Sequence, residues 1–189
     1  MRLLGIAASP RRNGNTERLL DAFLQGARQA EEVDKVVLTE FDIRPCQSCG
    51  RCARSGCCVL QDDMQMLYDK VLAADRIVIA APIFFASVPA QLKAFIDRFQ
   101  CFWVAKYVLK QPIVTRAEDR RGFFLCAAGM KNPRFFDHAR AVVRVFFTVM
   151  NFSYQGSLFY PGIDWAGQIE QHPNALFEAQ EAGKAFMQR

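Results

Sequence analysis

The stretch Arg2-Leu3-Leu4-Gly5-Ile6-Ala7-Ala8-Ser9-Pro10-Arg11-Arg12-Asn13-Gly14-Asn15-Thr16 decides the fold. Arg2 to Ser9 reads as a short apolar strand. Ser9 to Asn15 is a polar turn with a proline and a glycine in it. Beyond the turn, Leu19, Leu20, Phe23, Leu24 and Ala27 recur at helical spacing, the stripe of an amphipathic helix. Strand, turn and helix therefore follow one another without a linker.

Working outward, the same alternation repeats. Lys35 to Thr39 is a second β-branched run, followed by an irregular, cysteine-rich segment. Asp62 is placed as a helix N-cap with Gln65 in the capping-box position, and Met64, Leu67 and Val71 form that helix's buried face. Ile77 to Ala81 is almost wholly apolar, as a central parallel strand covered on both faces must be. Pro89 suits the first turn of the next helix, where a missing N–H costs little, and Ala90, Ala94, Ile96 and Phe99 continue it. Gly122 to Ala128 reads as strand, Pro133 to Met150 as helix, Phe152 to Phe159 as strand and Asn174 to Gln188 as helix. Strands alternating with helices predict a parallel sheet with helices on both faces. Because such crossovers are right-handed, few topologies remain. The expectation is one α/β domain over residues 1–189, a doubly wound five-stranded parallel sheet of order 2-1-3-4-5, with a cysteine-rich insert at about 44–61.

Composition narrows the class. At 189 residues, 51% hydrophobic and 23% charged, the chain is globular rather than disordered, and a core forms without disulfide staples. The apolar run Ile77 to Ala86 is interrupted by Pro82 and is half of the roughly 20 residues a membrane span needs. The first residues have too short an apolar core for a secretory signal. The net charge of +5 comes without a block of consecutive basic residues, which argues against nucleic acid as a partner. Membrane association and secretion are not expected, and a cytoplasmic location is. Seven cysteines, five of them between positions 46 and 58, point to metal or redox chemistry in a reducing compartment, not to a disulfide framework.

In an open α/β sheet, ligands bind at the carboxyl ends of the strands, beside strand 1. There the turn Ser9 to Thr16 offers hydroxyls, amides, two arginines and a helix N-terminus, which suits a phosphomonoester. It is neither the dinucleotide glycine fingerprint nor a P-loop. On its own the turn is also compatible with an ordinary polar turn and an N-cap at Asn15. The pattern Ser-Pro-Arg-x-x-Gly-Asn-Thr resembles the phosphate loop of the NADPH-dependent FMN reductase group of flavodoxin-like proteins. A second block, Ala81-Pro82-Ile83-Phe84-Phe85 with Pro89, Gln91-Leu92-Lys93 and Phe95-Ile96-Asp97-Arg98, is similar to the same family, with Phe84 where a tyrosine is usual. The resemblance covers about residues 1–130. It implies that Ser9, Arg11, Asn13, Asn15 and Thr16 hold an FMN phosphate. It also implies that Pro82, Ile83, Phe84 and Phe85 lie along the isoalloxazine, and that Ala127, Ala128 and Gly129 contact the flavin from a third loop.

Cys46-x2-Cys49-x2-Cys52 followed by Cys57 and Cys58 brings four soft ligands into one tight loop, the requirement of an iron–sulfur cluster. The spacing leaves Cys57 and Cys58 both open as the fourth ligand. It resembles the iron–sulfur flavoproteins of the same family, whose pattern favours Cys58 and implies a [4Fe–4S] cluster passing electrons to FMN. Zinc, a redox-sensing loop and a metal-free cysteine-rich loop are the alternatives. Arg51 and Arg54 stand close enough in sequence to tune a cluster by charge. Cys101 and Cys126 fall in helix and strand patterns and are expected as inert core residues. The aromatic run Gln100 to Val114 is expected as a subunit interface, a lid or ordinary helix burial. His138 and His172 have no nucleophile partner, so the flavin rather than a side chain carries the chemistry.

Three functions follow. The first is an FMN-dependent oxidoreductase with a [4Fe–4S] cluster, exchanging electrons with ferredoxin, NAD(P)H or a quinone. The second is a cluster-free NAD(P)H-dependent FMN or quinone reductase. The third is a non-enzymatic thiol or metal sensor. A homodimer or homotetramer is expected from the family and the apolar excess.

Overall fold

A computed structural model describes residues 1–114 and 119–188. Five parallel strands, β1 (Arg2–Ala7), β2 (Glu32–Val37), β3 (Arg76–Pro82), β4 (Arg121–Ala128) and β5 (Ser153–Pro161), form one sheet of order β2-β1-β3-β4-β5. This is the order expected from the alternation. Helices α1 (Asn15–Gly26), α2 (Cys52–Ser55), α3 (Met64–Ala73), α4 (Ala90–Arg98), α5 (Gln100–Trp103), α6 (Arg134–Val149) and α7 (Ala175–Met187) complete the chain. A π-helical turn, Val104–Val108, extends α5.

The period-two alternation of the strands splits the core in two. Leu4, Ile6, Ile77, Ile79, Ala81, Phe124 and Cys126 face α3, α4 and α6. Leu3, Ala7, Val78, Ala80, Leu125 and Ala127 face α1 and α7. Both faces of β3 are therefore buried, which is why its sequence is an unbroken apolar run. Ala7 pairs with Val37 and Ala80, and Pro82 with Ala127, so the carboxyl ends of β1, β3 and β4 open at one rim.

The elements depart from sequence expectation at their ends. The second strand lies at Glu32–Val37, not Lys35 to Thr39, because Leu38–Glu40 turn into a 3-10 segment. Helix α1 is capped by Gly14, not Asn15. Asp62 and Gln65 make one of the two contacts of a capping box, the Asp62 N–H donating to Gln65 Oε1, while Asp62 Oδ1 accepts the N–H of Met64 rather than that of Gln65. Asp63 nevertheless occupies the cap position of α3. Helices α1 and α7 approach so closely that a Cβ on Gly26 would lie 1.9 Å from the Gln180 carbonyl oxygen, and one on Gly183 would lie 2.0 Å from the Phe23 carbonyl oxygen. No helix among the described residues is long and apolar enough to cross a membrane.

Candidate functional site

The turn after β1 is built from its own backbone constraints. Ser9 Oγ accepts the Arg11 N–H at 3.1 Å, which starts the turn. Asn13 is left-handed at φ 53°, and a Cβ on Gly14 would lie 3.0 Å from the Arg11 carbonyl oxygen. The chain then enters α1 with no side chain capping its first turn, so the N-terminal N–H groups stay open to an anion. Ser9, Asn15 and Thr16 are buried polar residues at this point.

Glu17 fixes the underside of the turn, and sequence reasoning missed it. Its buried carboxylate accepts the Asn13 N–H at 2.6 Å and Lys35 Nζ at 2.9 Å, with Arg12 Nη1 at 3.4 Å. Burial alone raises its pKa. The Lys35 and Asn13 hydrogen bonds and the nearby cations outweigh that and hold it below the ordinary value of 4.5. An acidic residue in a helix's first turn reads as routine dipole matching, so nothing in the sequence marked it.

Three strand-end turns meet in one cleft. Its walls are Ser9, Pro10, Arg11, Gly14, Asn15 and Thr16 from the first turn, Pro82, Ile83 and Phe84 from the second, and Ala127, Ala128 and Gly129 from the third. Of the twelve expected site residues, Asn13 and Phe85 are not in the walls. Asn13 turns its N–H to Glu17 and its carbonyl to Arg18 Nε. Phe85 is fully exposed at 102%. It forms a tight turn with Ala86, both at positive φ (49° and 58°), closed by reciprocal 3.0 Å hydrogen bonds between Phe84 and Ser87. Two non-glycine residues in that conformation store on the order of 1–3 kcal/mol each.

A fourth loop, after β5, was not expected at the site. Ile163 and Asp164 line the cleft, and Asp164 packs so tightly on Gly129 that a Cβ there would lie 2.9 Å from its carboxyl carbon. Arg11 Nη1 donates to the Asp164 carbonyl at 3.1 Å. Asn15 Nδ2 donates to the Trp165 carbonyl at 2.8 Å, and Asn15 Oδ1 accepts the Ile169 N–H at 3.2 Å. The Asn15 amide is thus committed to holding this loop. The cleft measures about 130 Å³. That is less than the roughly 300–1,000 Å³ of a pocket that swallows its ligand, so the cleft has room for one end of a larger molecule. Open helix N–H groups, buried hydroxyls, a guanidinium and an apolar wall fit a phosphate tail and a ring edge. A larger cavity of about 610 Å³ lies at the amino ends of the strands, the end of an open α/β sheet that does not carry ligands.

The cysteine segment forms a second site. Ser48 (φ 51°) and Gly50 (φ 69°) bend the chain, α2 makes one turn, and Gly56 (φ 71°) ends it against Ala105. Cys46, Cys49, Cys52 and Cys58 line one cavity of about 180 Å³, and Cys57 is not among its walls. Cys52 and Cys58 pack against the core, whereas Cys57 is exposed, its N–H donating to Ser55 Oγ. Burial raises the Cys52 thiol pKa, and neighbouring Cys46, Cys58 and Cys49 add to that. Among the described residues, no three His, Cys, Asp or Glu side chains converge on a point that a single ion would occupy. The four thiols stand around a cavity instead. Cys101 is buried in the core as expected, lines the same cavity, and has its thiol pushed up to about 11 by burial. Cys126 is buried in β4 as expected. Gln100 and Val104, from the aromatic run, also line the cavity, while Trp103, Tyr107 and Val108 remain partly exposed. Arg51 and Arg54 are exposed.

Beneath this cavity Asp62 and Arg98 form an ion pair with side chains 1% and 0% exposed. Asp62 also accepts the Arg44 N–H at 3.1 Å. Burial raises its pKa, but the Arg98 hydrogen bond and two backbone N–H donors leave it below the ordinary 3.8.

The family model for NADPH-dependent FMN reductase matches residues 1–149. An iron–sulfur flavoprotein of Methanosarcina thermophila is 38% identical over 114 residues, 60% of each chain. One from Archaeoglobus fulgidus is 40% identical over 99 residues, 52% of this chain and 45% of that protein. The alignments thus span about half the length of these relatives. Among solved structures, the NAD(P)H:quinone oxidoreductase from Methanothermobacter marburgensis superposes with a TM-score of 0.74 at 19% identity, covering 100% of this chain and 97% of that one. At that identity the likeness concerns the fold.

Proposed function

Because the chain belongs to the NADPH-dependent FMN reductase family, we propose that it is an FMN-dependent oxidoreductase whose cysteine loop carries a [4Fe–4S] cluster, relaying electrons between FMN and a partner protein or small acceptor. The observation that carries the finer part is the cavity walled by Cys46, Cys49, Cys52 and Cys58 but not Cys57. A cube needs ligands around a body, which such a cavity offers, and the iron–sulfur flavoprotein names of the relatives point the same way. FMN would supply hydride and one-electron chemistry, and the cluster one-electron transfer.

The chain's own residues bind and orient. Ser9, Arg11 and Thr16 with the first N–H groups of α1 would hold the phosphate. Asn13 and Asn15 would shape that turn, one through Glu17 and the other through the loop after β5. Pro82, Ile83 and Phe84, with Ala127, Ala128 and Gly129 opposite, would bracket the ring, and Phe85 would set the outer turn. NAD(P)H, quinone or ferredoxin would serve as donor or acceptor, and a homodimer or homotetramer would be the working assembly. One observation favours a second reading, a cluster-free NAD(P)H-dependent reductase: the thiols do not converge on a single-ion point among the described residues.

Anaerobic purification with iron, sulfide and FMN assays on one sample tests both. About four irons and four sulfides per FMN is the expected result. FMN without iron would select the cluster-free reductase. Neither would remove the enzymatic reading and leave the sensor.

A further inference from the structure

The cysteine loop and the π-helical turn after α5 pack against each other. A Cβ on Gly56 would stand 3.0 Å from the Ala105 Cβ and 3.3 Å from Gln111 Oε1. Val104 shares a cavity wall with Cys46, Cys49, Cys52 and Cys58. The charge of these two segments sets them apart. Residues 43–61 and 99–114 contain three arginines, two lysines and no aspartate or glutamate. Their charge of +5 equals that of the whole chain, so the remaining residues balance one another. The positive excess of the molecule therefore sits in the two segments that meet at the cysteine cavity.

Part of that charge is already answered. Arg44 faces the Asp62 carboxylate at 3.6 Å, and Lys106 donates to the Thr148 and Val149 carbonyls and to Asn151. Arg51, Arg54 and Lys110 are exposed and form no ion pair among the described residues. Asp42 and Asp63 flank the loop, and Asp63 accepts the Asp42 N–H. The same two segments expose Val59, Trp103, Tyr107 and Val108, with the Trp103 and Tyr107 rings 5.6 Å apart. The second segment is strained as well: it makes the π-helical turn, and Lys110 is left-handed at φ 57°. Both features are unfavourable and gather at functional sites. A solvated surface mixes charges of both signs, whereas a docking surface is rich in arginine and aromatic side chains and poor in carboxylates.

We propose that the cysteine loop and the turn after α5 form a docking surface for an acidic partner protein. Arg51, Arg54 and Lys110 supply the charge, and Trp103, Tyr107 and Val108 the apolar contact. The inference rests on the electron-relay reading above and gives its partner a place and a sign. A second copy of the chain fits poorly, because a two-fold contact would set the same cations face to face. Three unpaired cations are also fewer than the roughly 6–10 phosphate contacts of a nucleic-acid binder or the roughly 4–8 basic residues of a lipid-binding cluster.

The test is the affinity of an acidic [2Fe–2S] ferredoxin for protein purified anaerobically, measured by calorimetry at low and high salt. Iron, sulfide and FMN are assayed on the same sample, and basic cytochrome c is the counter-probe. The wild type is expected to bind ferredoxin but not cytochrome c, and to bind more weakly as salt rises. Arg51→Glu/Arg54→Glu is expected to weaken binding at least about tenfold at low salt, and Lys110→Glu at least about threefold, with FMN content unchanged. Arg28, exposed just beyond the end of α1, is the control: Arg28→Glu changes net charge in the same way and should leave the affinity unchanged. Wild-type protein that binds no ferredoxin overturns the inference, as do variants that weaken binding no more than Arg28→Glu. If the double variant fails to fold, Lys110→Glu decides: weaker binding supports the inference and unchanged binding overturns it. Two other results also overturn it. One is binding to phosphatidylserine vesicles without binding to ferredoxin, which gives the surface to a membrane. The other is self-association that Trp103→Glu abolishes, which gives it to a second copy. Salt-sensitive ferredoxin binding by protein without iron or sulfide keeps the surface and overturns the cluster reading. Iron-loaded protein that binds no ferredoxin does the reverse.

Discussion

Glu17 and Arg11 divide the first turn between them, one holding it from below and the other facing the cleft. Removing the cleft-side groups in Arg11→Ala/Thr16→Ala is expected to weaken FMN binding by about 2–4 kcal/mol, since charge-assisted phosphate contacts are lost, as read by flavin fluorescence titration. Unchanged affinity would show that the phosphate lies elsewhere. Glu17→Gln tests the lower side, with an expected loss of about 1–3 kcal/mol of folding stability at neutral pH. The pH dependence has a definite sign. Glu17 and Asp62 have folded pKa values below the ordinary 4.5 and 3.8. Their contribution is complete above those ordinary values and is lost as pH falls through the depressed ones. Urea midpoints are therefore expected to fall below about pH 4.5, more shallowly in Glu17→Gln. The meeting of Ser9, Arg11 and Thr16 at one cleft was legible because a single short turn carries all three. Glu17 and the double use of the Asn15 amide were not, because their partners lie elsewhere in the chain, up to 154 residues away for Asn15 and Ile169.

At the scale of elements, the crossing of α1 and α7 is the most demanding contact in the fold. Gly26 and Gly183 let one helix backbone rest on the other, with no room for a methyl at either position. Gly183→Ala is expected to destabilise by about 1–3 kcal/mol, because backbone rather than a flexible side chain must move, and urea denaturation reads it directly. An unchanged midpoint would mean that the helices slide apart freely. Existence and type of these elements were legible in the apolar periodicity. Their ends were less so: β2 stops where Leu38 enters a 3-10 turn, a choice that β-branched composition does not encode. The Phe85–Ala86 turn was also hidden, since neither residue advertises a positive φ.

Across the whole molecule, the cleft and the cysteine cavity share no wall residue. Cys49→Ser is therefore expected to lose iron and sulfide while FMN stays at its wild-type level, measured by metal and flavin content of one preparation. Simultaneous loss of FMN would mean that the cysteine loop is part of the flavin site. The strand order was readable because strict alternation and right-handed crossovers leave few topologies. The meeting of Leu60, Arg98 and Cys101 in one cavity wall, with the Arg44 carbonyl bonded to Arg98, was not, because it joins segments separated by 54 residues at the widest hydrogen bond. The pairing of α1 with α7 also sets a schedule for biogenesis. While the chain emerges from the ribosome, Phe23 waits for Phe186, its aromatic neighbour at 5.5 Å, some 163 residues later. The sheet strands appear one by one and α1 lies against them, yet the side of α1 that carries Gly26 stays uncovered until synthesis reaches α7. Nascent chains stalled before α7 should thus be bound by chaperones and fail to retain flavin, however complete their phosphate turn.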